Sequence, residues 1–142
     1  MRTPKHQSAD DHTTDAARLA RACPDLEEWP QSWRFNDADI ALGEQIVASF
    51  KPFLLWLLDQ QPSSRTFKRH RDNLWLIGGE IIRQRWEDPP WAGLPVSQIL
   101  DVLIEEDGGP LIWPRITETD QKSLDTTCSK LYRFLHITKS PR

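Results

Sequence analysis

The chain has 142 residues, of which 38% are hydrophobic and 27% charged, and its formal net charge is −3. This length suffices for one domain with a hydrophobic core, and the negative balance excludes a protein coated in basic charge. No apolar run approaches the length that spans a membrane, and the N-terminus has no apolar signal segment. Cys23 and Cys128 lack a CxxC partner, which is typical of buried thiols in a reducing compartment. The sequence therefore predicts a cytoplasmic protein without membrane contact.

The N-terminal part divides into a tail and an arm. Residues 1–14 are polar and lack an apolar period, which predicts a disordered tail. Residues 15–36 are predicted to form an N-terminal arm, with a short helix that ends at Pro24 and then an irregular stretch. Three aromatic side chains of this stretch are candidates for burial: Trp29, Trp33 and Phe35. We interpret them as anchors that hold the arm on the core, and an exposed patch for a partner is the alternative.

Residues 37–142 are predicted to form a helical domain, whose first long helix runs from Asn36 or Asp37 to Gln61. Its apolar positions keep one phase on both sides of Pro52. We therefore expect either one helix kinked at this proline or two nearly collinear helices. The apolar stripe consists of Gly43, Ile46, Val47, Phe50, Phe53, Leu54 and Leu57.

A central helix is predicted over residues 63–86, with Ser63 or Ser64 as its N-cap. Its apolar stripe is wide enough to contact neighbours on two sides, which favours a position at the centre of the fold. The stripe consists of Phe67, His70, Leu74, Trp75, Ile77, Gly78, Ile81, Ile82 and Trp86. A glycine on this stripe, Gly78, indicates the close approach of another helix.

Two further helices follow the central one. Ser97 is predicted to cap a short helix that ends before Gly108, and Thr117 with Asp120 has the spacing of a capping box for the last helix. The apolar stripe of the last helix consists of Leu124, Cys128, Leu131 and Leu135. No stretch indicates a sheet, so the sequence predicts an all-α compact bundle of about four to five helices.

The search for catalytic and metal-binding motifs finds none. The sequence contains no HExxH, no Cys/His ligand spacing, no GxSxG and no P-loop. His70 lies on the apolar side of the central helix, where a hydrogen-bonded core histidine is the simplest interpretation. We therefore predict no catalytic residues, no metal site and no cofactor.

The distribution of charge is more informative than its sum. Residues 63–86 carry six bases and two acids, whereas residues 87–114 carry six acids and no Lys or Arg. Four cations crowd the start of the central helix: Arg65, Lys68, Arg69 and Arg71. A helix start with open amides, an N-cap hydroxyl and four cations favours an anion, and a phosphate backbone is the obvious large one. A solvated basic face that only aids solubility is the alternative.

The turn into the central helix resembles the core-binding domain of tyrosine recombinases, the SAM-like helical domain that grips DNA opposite the catalytic domain. The run FKPFLLWLLDQQP precedes Ser63, Thr66, His70 and Leu74 at the spacing of that family, and the match covers residues 38–86. The resemblance implies that Ser63, Arg65, Thr66 and Arg69 approach the DNA backbone, with Lys68 and Arg71 as flanking contacts. The recombinase catalytic arginines, histidine and tyrosine are not present, so a non-catalytic relative is expected.

Two functions follow as predictions. The first is a small non-catalytic module that binds DNA non-specifically or with weak specificity through the N-terminal part of helix 63–86. Three cations of the last helix are expected to help: Lys122, Lys130 and Arg133. The second is a regulatory adaptor, whose basic face meets an acidic protein partner or the acidic 87–114 region of a second copy. The adaptor can instead use a tryptophan-rich surface, formed by Trp29, Trp33, Trp91 and Trp113. An enzyme of unrecognised type is the third and least supported alternative.

Overall fold

The computed structural model describes residues 15–139, which form an all-α bundle. The helices are α1 (residues 15–22), α2 (Trp29–Trp33), α3 (Asp39–Asp59), α4 (Ser64–Arg85), α5 (Val96–Leu103) and α6 (Glu118–Lys139). Within this range there is no β-strand, only an isolated bridge between Glu105 and Gly108. The predicted all-α bundle is confirmed, with six helices because the arm supplies two short ones. The tail predicted over residues 1–14 lies outside the described residues.

The N-terminal arm is more regular than the sequence predicts. A 3-10 turn over Leu26–Glu28 leads directly into α2, where an irregular stretch was expected. Pro30 lies in the first turn of α2, where its missing N–H costs no helical hydrogen bond. Trp29 and Trp33 are buried, whereas Phe35 is 65% exposed. The anchor interpretation is therefore correct for the two tryptophans and wrong for Phe35.

The long helices α3 and α4 pack against each other in antiparallel directions. The start of α3 meets the end of α4, where Arg85 Nη1 lies 2.6 Å from Asp39 Oδ1. α3 continues through Pro52 as one helix, so the alternative of two collinear helices is wrong. Pro52 is exposed, so its ring does not disturb the buried face. All seven residues of the predicted stripe of α3 are buried.

The hydrophobicity of α3 requires one correction. This helix of 21 residues, with a mean hydropathy of 1.3, is long and apolar enough to cross a membrane by length and composition. The expectation that no apolar run has this length is therefore wrong. In the bundle the apolar side chains of Phe50, Phe53 and Leu54 are fully buried. Burial against the other helices accounts for the composition of α3.

Gly78 allows the arm to pack directly on the central helix. A Cβ atom at this position would lie 2.2 Å from Cζ2 of Trp33, so no larger residue fits. The indole of Trp33 is fixed there, because its Nε1 donates a hydrogen bond of 3.0 Å to the carbonyl oxygen of Trp75. The predicted close approach is confirmed, and the neighbour is a side chain of α2.

α6 packs along α4 through a buried ladder of polar side chains. Nδ1 of His70 lies 2.8 Å from Oγ1 of Thr127, and Nδ2 of Asn73 donates to the same oxygen at 2.8 Å and to the carbonyl of Ser123 at 3.1 Å. Later residues of α4 thus meet earlier residues of α6, which shows that the helices are antiparallel. The prediction of His70 as a hydrogen-bonded core residue is confirmed.

Three further expectations, two on helix caps and one on the buried face of α4, have mixed outcomes. Thr117 Oγ1 accepts the N–H of Asp120 at 3.0 Å, as the capping spacing predicts. Ser97 is not a cap, because α5 begins one residue earlier with Pro95 as its N-cap. Trp75 and Trp86 are 39% and 51% exposed, so the buried stripe of α4 is narrower than predicted.

Candidate nucleic-acid interface at the start of α4

The N-terminus of α4 is built by two hydroxyl side chains. Ser63 has extended backbone, and its Oγ accepts the N–H of Thr66 at 3.1 Å while donating to Oγ1 of Thr66 at 3.0 Å. The predicted N-cap is confirmed at Ser63. The amides of Ser64 and Arg65 have no partner within the helix, as in the first turn of any helix. This end of α4 therefore carries the positive end of the helix dipole.

The basic ridge is our name for three cations near this end of the bundle: Arg65 and Arg69 of α4 and Lys130 of α6. Arg65 and Arg69 are one helical turn apart, both are exposed, and neither forms an ion pair with any residue between 15 and 139. Lys130 comes from α6. The pKa of His70 is lowered by burial first and then by the positive charges of Lys130 and Arg69. Lys130 follows Thr127 by three residues on α6, and Thr127 lies 2.8 Å from His70, so the antiparallel packing places Lys130 toward the start of α4. Tertiary packing thus adds a cation from α6 to the two on α4.

The other two cations of the predicted site, Lys68 and Arg71, differ from the ridge residues because both are held in ion pairs. Nζ of Lys68 lies 2.9 Å from Asp72 Oδ2, and both side chains of this pair are largely exposed. Nη1 of Arg71 lies 2.8 Å from the other carboxylate oxygen of Asp72, and the Arg71 side chain is only 16% exposed. The four cations that are adjacent in sequence are therefore divided between two surfaces.

Arg71 links the central helix to the arm. Its guanidinium forms an ion pair with Asp25, donates to Sγ of Cys23 at 3.2 Å and lies 5.5 Å from the ring centroid of Trp29. Burial lowers the pKa of Arg71, but the hydrogen bonds with Cys23 and Asp25 outweigh it and the pKa is raised overall. This side chain is held by contacts within the protein.

Beside Arg71 the surface opens into a cleft, which we call the arm cleft. Its volume is about 770 Å³, and it lies between α1, the arm, the end of α3 and the start of α4. Its charged lining includes Arg21, Lys68, Arg71, Asp25 and Glu28. Its apolar lining includes Leu58, Pro62 and Phe67. Lys68 and Arg71 thus border a concave site, whereas Arg65 and Arg69 do not belong to its lining.

Sequence reasoning missed that the carboxylates of Asp39 and Glu80 are buried and join distant parts of the chain. Glu80 is almost fully buried and accepts hydrogen bonds from Arg83, Gln84 and Arg115. Burial alone would raise the pKa of Glu80, but these hydrogen bonds, that of Arg83 first, lower it overall. The spacing of Glu80, Arg83 and Gln84 on one helix face was a usable signal. The contact with Arg115 had none, because it depends on the tertiary fold.

The exposed aromatic residues differ from those predicted. Trp29, Trp33 and Trp91 are buried, so the proposed tryptophan-rich surface is wrong for three of its four members, and only Trp113 is exposed. An exposed pair occurs elsewhere, where Phe35 and Trp86 meet edge to face with ring centroids 6.3 Å apart. This pair joins the exit from α2 to the end of α4.

The described residues contain no arrangement that suggests a metal site or a reactive thiol. Between residues 15 and 139, no group of three or more His, Cys, Asp or Glu is placed to hold a metal ion. Cys23 and Cys128 are buried free thiols, as predicted. Burial raises the pKa of Cys23, and it raises the pKa of Cys128 to about 12, so both thiols are protonated at neutral pH.

Comparisons of the chain with protein-family models, with curated proteins and with solved structures find no match. The resemblance to recombinase core-binding domains therefore depends on the spacing of Ser63, Thr66, His70 and Leu74. Each of these has a structural role here: Ser63 and Thr66 form the cap, His70 bonds to α6 and Leu74 is buried. The spacing by itself is explained by the construction of a capped central helix. The case for a binding surface rests on the basic ridge.

Proposed function

We propose that this protein is a small, non-catalytic DNA-binding module that contacts phosphate groups through the basic ridge. One observation carries the proposal. Of the six cations on α4, four form ion pairs and only Arg65 and Arg69 have none among the described residues, although both are exposed at the helix end that favours anions.

The physical character of the ridge favours backbone contacts over base readout. Exposed arginines next to free helix amides bind phosphate oxygens, which are the same in every sequence. The binding should therefore be weakly specific and strongly dependent on salt, because each neutralised phosphate releases condensed counterions. The ridge is local, since the chain as a whole has a net charge of −3.

Fluorescence anisotropy of a labelled random-sequence duplex, titrated at several salt concentrations, tests the proposal. We expect binding that weakens steeply with salt in the wild type. The double variant Arg65→Ala/Arg69→Ala should bind at least about tenfold more weakly and lose about two units of the logarithmic salt slope, one for each phosphate contact.

The control removes the same charge elsewhere. In Arg34→Ala/Lys51→Ala two partly exposed cations outside the ridge are lost, and this variant should retain the wild-type salt slope. Absence of binding at low salt, or equal weakening in both double variants, would refute the ridge as a specific DNA surface.

An adaptor function is the second candidate, and the exposed Phe35–Trp86 pair favours it. Aromatic side chains of this kind often anchor protein interfaces. If the pair is such an anchor between copies of this chain, sedimentation velocity should show a mass that rises with protein concentration. Phe35→Ser/Trp86→Ser should then remain monomeric over the same range. A wild-type mass that is constant with concentration counts against this form of the adaptor.

A further inference from the structure

We infer that the arm cleft is a binding site for a small amphipathic anion, a molecule with a carboxylate, phosphate or sulfonate group on an apolar body. This inference is independent of the proposed DNA-binding function, because the cleft uses different side chains from the basic ridge. The proposed site uses three cations of the cleft lining, Arg21, Lys68 and Arg71. Leu58 and Phe67 contribute to its apolar lining.

The size and lining of the cleft suit a small molecule. Its volume of about 770 Å³ lies within the range of ligand pockets. Its exposed lining is mainly apolar, with a few polar groups at the edge. Such a combination binds the body of a ligand by burial and orients the ligand through its charged group.

The charges around the cleft favour an anionic group. Three of its five charged lining residues are cations: Arg21, Lys68 and Arg71, of which Lys68 and Arg71 also pair with Asp72. Ser64 of the lining belongs to the positive end of α4. The acid closest to Arg71, Asp25, is already engaged, because it pairs with Arg71 and accepts the indole N–H of Trp29 at 3.1 Å. Arg21 has no ion-pair partner among residues 15–139, so its charge is available to a ligand.

The position of Arg71 is fixed before any ligand binds. Three of its N–H groups are used by Cys23, Asp72 and Asp25, which holds the guanidinium at the cleft wall with two N–H groups remaining. A preorganised donor of this kind loses little rotamer freedom when an anion arrives. The carboxylate, phosphate and sulfonate groups share the oxygen acceptors that it can bind.

The test uses 8-anilinonaphthalene-1-sulfonate as the probe, titrated by fluorescence, with N-phenyl-1-naphthylamine as its uncharged counterpart. We expect one saturable site for the sulfonate and at least about tenfold weaker binding of the uncharged compound. Arg21→Ser/Lys68→Ser should weaken sulfonate binding about tenfold, and circular dichroism with urea unfolding verifies that this variant is folded. Calorimetric competition with inorganic phosphate and with a fatty acid then separates recognition of the anion alone from recognition of anion and body.

The matched control removes two arginines from the same helix end. Arg65→Ser/Arg69→Ser should bind the sulfonate within about twofold of wild type while losing DNA binding, so the two proposals fail or succeed separately. No saturable binding, more than one equivalent site, or equal weakening in the two double variants would overturn the inference. Loss of binding only in Phe35→Ser/Trp86→Ser would overturn it as well, because the probe would then occupy the exposed aromatic pair.

Discussion

Asp39 provides the sharpest test of how the bundle is held together. Its carboxylate has no exposed surface and joins three segments of the chain. Oδ2 accepts the backbone N–H groups of Phe35 at 2.8 Å and Asn36 at 3.3 Å, and it also accepts the indole N–H of Trp86 at 3.2 Å. Oδ1 lies 2.6 Å from Nη1 of Arg85. Replacement by alanine removes all four contacts.

The expected cost of Asp39→Ala is about 3 kcal/mol of unfolding free energy. Removing one partner of a buried ion pair typically costs ~3–5 kcal/mol, and a buried N–H without an acceptor costs ~1–3 kcal/mol. The lower end applies here because the Arg85 side chain is 36% exposed, so its charge can recover contact with water. With a urea slope of ~1–3 kcal/mol/M, the unfolding midpoint should fall by about 1–3 M.

Urea unfolding monitored by tryptophan fluorescence at pH 7 measures this loss. Asp37→Ala is the control, because the Asp37 side chain is 94% exposed and only pairs with Arg34 at 3.5 Å, and it should cost less than ~0.5 kcal/mol. A loss below about 1 kcal/mol for Asp39→Ala would refute the cross-link argument.

Burial alone would raise the pKa of Asp39, but hydrogen bonds from Phe35 and Asn36 lower it below 3.8 overall. The difference between wild type and Asp39→Ala should therefore shrink as the pH falls below this value.

Two further predictions concern the faces of α4. Gly78→Ala should destabilise the fold by about 1–3 kcal/mol, despite the better helix propensity of alanine, because the new Cβ would meet Trp33 at 2.2 Å. Gly79→Ala, whose nearest contact is 3.3 Å, is the control in the same urea assay and should be close to neutral. Burial and then the charges of Lys130 and Arg69 lower the pKa of His70 from 6.5, so unfolding takes up a proton and stability should fall as the pH decreases below about 6.5. Urea midpoints between pH 7 and 5 should change less in His70→Gln than in wild type.

Each of these predictions has a clear contrary result. Equal stability of the two glycine variants would show that Trp33 can move away from α4 without cost. An identical pH dependence of wild type and His70→Gln would show that the pKa of His70 is the same in the folded and unfolded states. The ring of His70 bonds to the hydroxyl of Thr127, an uncharged group, and the charges that act on it are those of Lys130 and Arg69.

The helices themselves were largely predictable, because their signals are local. The apolar period of α3 persisted across Pro52, and the proline could remain because it faces solvent. Ser63 was identifiable as a cap since a serine after Pro62 supplies an oxygen where the helix amides need an acceptor. Ser97 shows the limit of such signals, because α5 begins at Val96 with Pro95 as its N-cap.

Only part of the candidate site could be predicted from the sequence. The crowding of Arg65, Lys68, Arg69 and Arg71 at one helix start is visible in the sequence, but their division between a ridge and a cleft is not. Arg71 is drawn into the fold by Asp25, a residue of the arm 46 positions earlier in the chain. Lys130 joins the ridge only because α6 packs antiparallel to α4. Long-range pairings of this kind have no local pattern.

The sequence by itself determined the all-α class, the position of the central helix and the basic character of its start, since these follow from periodicity, capping and charge within one segment. Only the tertiary structure decided which charges remain free. Asp39 and Glu80 look like ordinary helix acids, yet both are buried as partners of distant arginines. A cation that the fold leaves without an ion-pair partner is the most readily available for binding, and Arg21, Arg65 and Arg69 have no such partner among residues 15–139.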